Sequence, residues 1–226
     1  MDKSLKCKEI ISRMISLIFD YTGIYANNLT EAIVTLMYVK EQSDKRLKEI
    51  FNGTIRRLTA NDLTGITAVP RALFQDNQNL EYVELPDTVT VLGDNCFLGC
   101  ANLNMPSLPE GIERLGSNNF YGCSSLALEK LPDSLNYIGT NVFTNCASLR
   151  ISEIPAGVTY LGRGAFLGCT SLETITFKGT PSSVDRSIFS NCTNLREINV
   201  PWAEGEVANA PWGATNATIN YNYLGV

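Results

Sequence analysis

The chain has 226 residues, 44% of them apolar and 18% charged, with a net charge of −5 and no histidine. This is ordinary for a folded protein, and its mild acidity offers no broad attraction to phosphate backbones or anionic lipid, so nucleic acid is not an expected partner. The lack of histidine removes imidazole acid/base catalysis, Ser-His and Cys-His nucleophile pairs and His-ligated metals together.

Residues 1–52 carry no repeat and read as helical. The first nine include Asp2, Lys3, Lys6, Lys8 and Glu9, and the apolar stretch after them is broken by Ser12, Arg13 and Ser16. That matches neither a signal peptide nor a membrane helix, so membrane insertion is not expected. Ile11, Met14, Ile18, Tyr21 and Tyr25 recur at steps of three and four, which predicts one amphipathic helix. A second is expected from Thr30 through Ile33, Met37, Leu47 and Ile50, with Thr22-Gly23 and Asn27-Asn28 between them. Two roles stay open for residues 4–50: a cap on the first repeat, or a coiled-coil stalk that makes a homo-oligomer.

Residues 53–202 repeat. Phe74, Phe97, Phe120, Phe143, Phe166 and Phe189 are spaced by 23 residues without an insertion, the signature of a stacked array. The expected fold is therefore a repeat solenoid, mainly β with short helical or irregular segments, forming a curved array. Leu80, Leu103, Leu126, Leu149, Leu172 and Leu195 form one inward column, and Leu85, Leu108, Leu131, Ile154, Phe177 and Val200 another. Between them Val83, Pro106, Glu129, Ser152, Ile175 and Ile198 are apolar only at the ends of the array. The outer copies thus read as regular strands and the middle ones as irregular, with Pro106 weakening the pairing.

Pro86, Pro109, Pro132, Pro155 and Pro201 close the strands, since proline has no N–H for the ladder. A further apolar column, Val69, Leu92, Leu115, Ile138, Leu161 and Val184, is mostly followed by glycine (Gly93, Gly116, Gly139, Gly162). Those glycines suggest a turn with positive φ. Gly99, Gly122, Asn145, Gly168 and Asn191, the position before each Cys, with Asp76 in the first copy, are residue types that tolerate the left-handed region. Asn79, Asn102, Ser125, Ser148, Ser171 and Asn194, before each Leu, are expected to cap freed backbone groups.

Residues 203–226 read as a C-terminal capping segment. Pro201-Trp202 recurs as Pro211-Trp212, and Ile219, Tyr221 and Tyr223 alternate with Thr218, Asn220 and Asn222, which predicts a final strand. Its apolar side and the two indoles either cover the last repeat or form an aromatic platform for a ligand.

Candidate chemistry is sparse. Cys100, Cys123, Cys146, Cys169 and Cys192 form a ladder, one per repeat, whereas a zinc site needs ligands converging on a point. They are expected to be buried free thiols, and the odd total of seven cysteines excludes a complete set of disulfides within one chain. No cofactor, no metal and no enzymatic activity are expected. Outward-facing strand positions supply the candidate recognition residues. One column contributes Glu84, Ser107, Lys130, Glu153, Thr176 and Asn199, and its neighbour Glu81, Asn104, Arg150, Glu173 and Arg196. Neither has a single sign of charge or an aromatic ladder, so a solvated face and a protein or glycan recognition face both remain open.

The recurring pattern aFxgCxxLxxIxlPxxvtxIG resembles the BspA-like leucine-rich repeats of bacterial surface proteins, over roughly Gly53 to Trp202. The resemblance implies a non-enzymatic scaffold of adhesion type that binds a protein or glycan. The tail VPWAEGEVANAPWGATNATINYNY is similar to a terminal segment of leucine-rich repeat proteins encoded among prophage tail genes, which implies, as the alternative, a structural or accessory part of a phage particle. Either way the expectation is a protein made in the bacterial cytoplasm and then surface- or virion-associated.

Overall fold

The computed structural model describes residues 54–63 and 66–224. The helices expected over residues 4–50, and with them the cap or stalk, lie outside the described residues.

Among the described residues twelve short strands follow one another: β1 (Arg57–Leu58), β2 (Ala68–Val69), β3 (Tyr82–Val83), β4 (Val91–Leu92), β5 (Arg114–Leu115), β6 (Tyr137–Ile138), β7 (Glu153–Ile154), β8 (Tyr160–Leu161), β9 (Thr174–Phe177), β10 (Ser183–Val184), β11 (Glu197–Asn199) and β12 (Thr218–Asn220). All pair in parallel, and within the regular repeats partners lie one period apart, as with Leu92 and Leu115 or Ile138 and Leu161. Each circuit of the chain thus lays its strands on the equivalent strands of the circuit before, which is what an uninterrupted period demands. One wall is a six-stranded sheet of order β10-β8-β6-β5-β4-β2. The other is broken into β1-β3 at the first end and β12-β11-β9-β7 at the last.

The break falls in the middle copies, as expected, and the packing gives its cause. At the ends Val83, Ile175 and Ile198 point inward, each 0% exposed. In the middle Pro106, Glu129 and Ser152 at that position are exposed, and the residues one place earlier, Met105, Leu128 and Ile151, are buried instead. A slip of one residue reverses which side chain faces the core. The copies of Met105 and Leu128 therefore drop out of the ladder, where only an isolated bridge joins Tyr82 to Asn104, and the copy of Ile151 rejoins it through β7, whose Glu153 and Ile154 pair with Thr176 and Phe177.

The six-stranded wall is built by the column after which glycines were expected to turn the chain. Those glycines do not have positive φ. They are small because consecutive circuits nearly touch there. A Cβ on Gly162 would lie 2.7 Å from the Gly139 carbonyl carbon and 2.8 Å from the Thr140 nitrogen. The left-handed residues sit elsewhere. Asp76, Gly99, Gly122, Asn145, Gly168 and Asn191 have φ of 58, 73, 74, 60, 73 and 61°, as their residue types predict. A second such column, Ala72, Asn95, Asn118, Asn141 and Gly164, lies four residues before it.

Of the short helical or irregular segments expected, these paired reversals give the irregular kind: among the described residues there is no helix, and the stretch around each Phe is a run of turns. Left-handed residues interrupt the continuous i to i−4 bonding of a helix. The freed N–H groups bond forward to the next circuit instead. Phe97 N–H donates to the Asn119 carbonyl at 3.0 Å, and Gly99 N–H to that of Tyr121 at 2.7 Å. Of the short polar residues before each Leu, Asn102 and Asn194 reach backward with their side chains, their amides donating to the Gln78 and Thr170 carbonyls at 2.8 Å.

Inside, the phenylalanines form one continuous stack from Phe74 to Phe189, with ring centroids 5.3–5.8 Å apart. The Leu column lies beside it, 0% exposed throughout. The last circuit is closed by Trp202 and Trp212, whose rings meet edge to face at 6.1 Å and both pack on Phe177. Both indoles are buried, at 3% and 0% exposure, so they cover the last repeat and are not a ligand platform. The expected final strand is β12, which extends the sheet beyond β11.

Candidate functional site

Free thiols are the most reactive groups in the array, and geometry makes them inert. Each ladder Sγ donates to the carbonyl of the Phe in the preceding circuit: Cys100 to Phe74 at 2.8 Å, Cys123 to Phe97 and Cys146 to Phe120 at 3.0 Å. Each Phe carbonyl from Phe97 to Phe166 already accepts the N–H of the Cys three residues later, so the thiol fills its second lone pair. Burial pushes every ladder thiol up, Cys192 to about 11 and Cys100 to about 12, which keeps the nucleophilic thiolate unpopulated. All six described cysteines are unpaired. The thiol is more than a filler, because it ties consecutive circuits together.

The candidate recognition residues fall on the broken wall, and they divide by what already engages them. Glu81 pairs with Arg56, Lys130 with Asp133 at 3.0 Å and Glu110 at 3.6 Å, and Glu153 with Lys178 at 3.1 Å. Asn104 Oδ1 accepts the Ala127 N–H at 3.2 Å, and Arg196 donates to the Thr193 carbonyl at 3.1 Å. Asn199 is not available to a partner. It is 5% exposed, and its amide donates to Thr176 Oγ1 at 3.1 Å and accepts from Asn220 at 2.7 Å. Ser107, Arg150 and Glu173 are exposed, and Glu84 and Thr176 are half-buried. The slip in the middle circuits also brings out Pro106, Glu129 and Ser152. Arg150, Glu173 and Arg196 occupy successive circuits of one column, so the charge alternates in sign along the array.

The six-stranded wall carries an outward column that the sequence reading passed over. Its members are Val91, Arg114, Tyr137, Tyr160 and Ser183, from β4, β5, β6, β8 and β10. The Tyr137 and Tyr160 rings stack with centroids 4.8 Å apart and planes within 6°. The Arg114 guanidinium lies 3.9 Å from the Tyr137 ring centroid, and Val91 is 48% exposed. The signal was present, since the residue before each inward Leu or Ile of that column repeats with the same period. Glycines directly after the column point to a turn and give no sign of a strand with an outer face.

Two further features bear on chemistry. Among the described residues no group of carboxylates and thiols is placed to hold a metal ion, and no helix is long and apolar enough to cross a membrane. A shallow depression of about 410 Å³ lies at the C-terminal end, bordered by Glu204, Val207, Asn209, Pro211, Ile219 and Tyr221.

A repeat of parallel strands and turns around a Phe/Leu/Cys interior defines a leucine-rich repeat solenoid. The chain belongs to the family of the BspA type leucine rich repeat region, which matches residues 67–196 in six copies. Among solved structures it is similar to the leucine rich repeat protein of T. pallidum, with 30% identity over 64% of this chain and 70% of that one, and a TM-score of 0.55. A leucine-rich repeat protein from Bacteroides ovatus is 29% identical over 59% of this chain and 35% of its own, with a TM-score of 0.53. A leucine rich cell surface protein from Faecalibacterium prausnitzii is 26% identical over 70% of this chain and 44% of its own, with a TM-score of 0.59. The chain thus spans less than half the length of the latter two. Comparison with curated proteins gives no match.

Proposed function

We propose that the chain is a non-catalytic recognition scaffold of surface or adhesion type, which holds a protein or glycan against the outward side chains of its repeats. One observation carries this reading. The inward columns repeat almost without change, whereas the outward columns differ from circuit to circuit, so a rigid frame displays a non-repeating surface. The similarity to a protein described as a leucine rich cell surface protein supports the surface setting.

On the broken wall the residues proposed to make contact are Glu81, Glu84, Asn104, Ser107, Lys130, Arg150, Glu153, Glu173, Thr176 and Arg196. The purified chain is screened against host-surface proteins and glycans. Specific binding that weakens in Arg150→Ala or Glu173→Ala is the expected result, and the absence of any binder alongside a detected enzymatic turnover overturns the reading.

The alternative is a structural or accessory part of a phage particle. It draws support from β12, which among the described residues is paired on one side only, an edge that a neighbouring subunit could extend. Analytical ultracentrifugation separates the two, because a monomer at high concentration speaks against assembly.

A further inference from the structure

We propose that the column Val91, Arg114, Tyr137 and Tyr160 on the six-stranded wall docks a protein segment that presents a carboxylate beside an aliphatic side chain. This rests on the recognition reading above and assigns it a second face and a partner class.

The argument begins with how the column is ordered. Tyr137 has the Arg114 guanidinium on one face at 3.9 Å and the Tyr160 ring on the other at 4.8 Å. Both faces of that ring are therefore occupied. A sugar ring stacks on an open aromatic face, and Tyr137, beside Arg114, offers only its edge and hydroxyl. Protein side chains meet such edges through van der Waals contact and hydrogen bonds, and arginine and tyrosine are enriched where protein partners bind most strongly.

Charge then narrows the partner. Arg56, Lys130 and Lys178 are each matched by a carboxylate within the array. Arg114 is exposed and makes no ion pair among the described residues. It is held in place by a ring instead of an acid. A stacked guanidinium keeps its in-plane N–H donors, which form the planar fork that a carboxylate accepts in bidentate fashion. The neighbouring strand β4 adds Val91, 48% exposed, at the spacing of one strand, about 4.8 Å. An aliphatic side chain seated there buries apolar surface on both partners.

Pre-ordering matters as much as composition. Arginine normally loses rotamer freedom on binding, and here the stack on Tyr137 removes part of that freedom in advance. The frame beneath is rigid, with Leu92, Leu115, Ile138 and Leu161 of the same strands each at most 4% exposed.

The test uses a displayed library of random peptides selected on the full chain, with selected peptides synthesised and their affinity measured by fluorescence anisotropy. The expected peptides carry Asp or Glu close to Leu, Ile or Val. Their binding falls at least tenfold in Arg114→Ala and in Tyr137→Ala and is only partly kept in Arg114→Lys. Denaturation midpoints equal to that of the parent chain establish that the exposed substitutions leave the fold intact.

Peptides without an acidic residue, or binding that survives Arg114→Ala, overturn the proposal. Peptides sensitive to Arg150 and Arg196 but not to Arg114 overturn it while leaving the recognition reading in force. A specific glycan ligand whose binding is indifferent to Arg114→Ala does the same. A library that enriches nothing also overturns it.

Discussion

Phe143 is the place where the aromatic stack is most exposed to experiment. Its ring lies 5.5 Å from both Phe120 and Phe166, with planes within 2° and 11°, and it is 0% exposed. Phe74, the first ring of the stack among the described residues, has a single phenylalanine neighbour there, Phe97, at 5.3 Å. Substituting Leu at either site keeps most of the apolar volume and costs roughly 1–1.5 kcal/mol through shape alone. Each aromatic pair lost adds about 0.5–1.5 kcal/mol beyond area burial. Phe143→Leu loses two pairs and is expected to cost about 2–4 kcal/mol, with Phe74→Leu about 1 kcal/mol less. Guanidinium denaturation followed by the fluorescence of Trp202 and Trp212 measures both. Because each circuit contacts only its neighbours, the central variant should also broaden the transition, while the terminal one frays a single end. Equal losses at the two sites, or a loss at Phe143 below about 1 kcal/mol, refute the claim that ring stacking couples the circuits.

The remaining predictions concern the thiols and the close-packed glycines. Burial raises the folded-state values of the ladder thiols above the unfolded one, so their protonated form favours folding fully below about pH 8.5, and this contribution fades as pH rises toward about 11 for Cys192 and about 12 for Cys100. Denaturation at pH 8, 9.5 and 10.5 should show a steep alkaline loss, shallower in Cys146→Ala by about 1.4 kcal/mol per pH unit; an unchanged slope defeats the assignment. Gly162→Ala should cost more than about 2 kcal/mol, because the new Cβ meets backbone of the previous circuit at 2.7 Å. Gly122→Asn should cost less than about 1 kcal/mol, since its φ of 74° suits Asn and the nearest atom to a Cβ is the Gly99 Cα at 3.8 Å. Similar thermal midpoints for these two variants are the contrary result.

Much of the frame was legible because a period of fixed length stacks like upon like. The Phe, Leu and Cys columns, the left-handed sites before each Cys and the weak pairing around Pro106 all follow from residue type at a repeated position. The glycines after the second apolar column were misread for a definable reason. A glycine is selected both by positive φ and by close approach of another backbone, and only the second operates at Gly139 and Gly162. The slip that buries Met105, Leu128 and Ile151 left an apolar trace at consecutive repeats. Choosing between two adjacent columns, however, depends on which side chains fill the space beside Leu103, Leu126 and Leu149. Asn199 shows the same limit at the surface, since its place in the outward column is periodic but its burial follows from Thr176 and Asn220 on either side.

By itself the amino-acid order determined that this protein is a solenoid, how many circuits it has between Phe74 and Phe189, and which residue types line its interior. Those conclusions need only periodicity and the preference of apolar groups to leave water. Tertiary structure alone decided that the longer sheet lies on the wall taken for a turn, that the indoles close the array, and that Arg114, Tyr137 and Tyr160 form one ordered stack. The physical reason is distance: residues 23 apart in the chain become neighbours at 4.8 Å only when the circuits pair in register, and contact at that range sets both exposure and orientation.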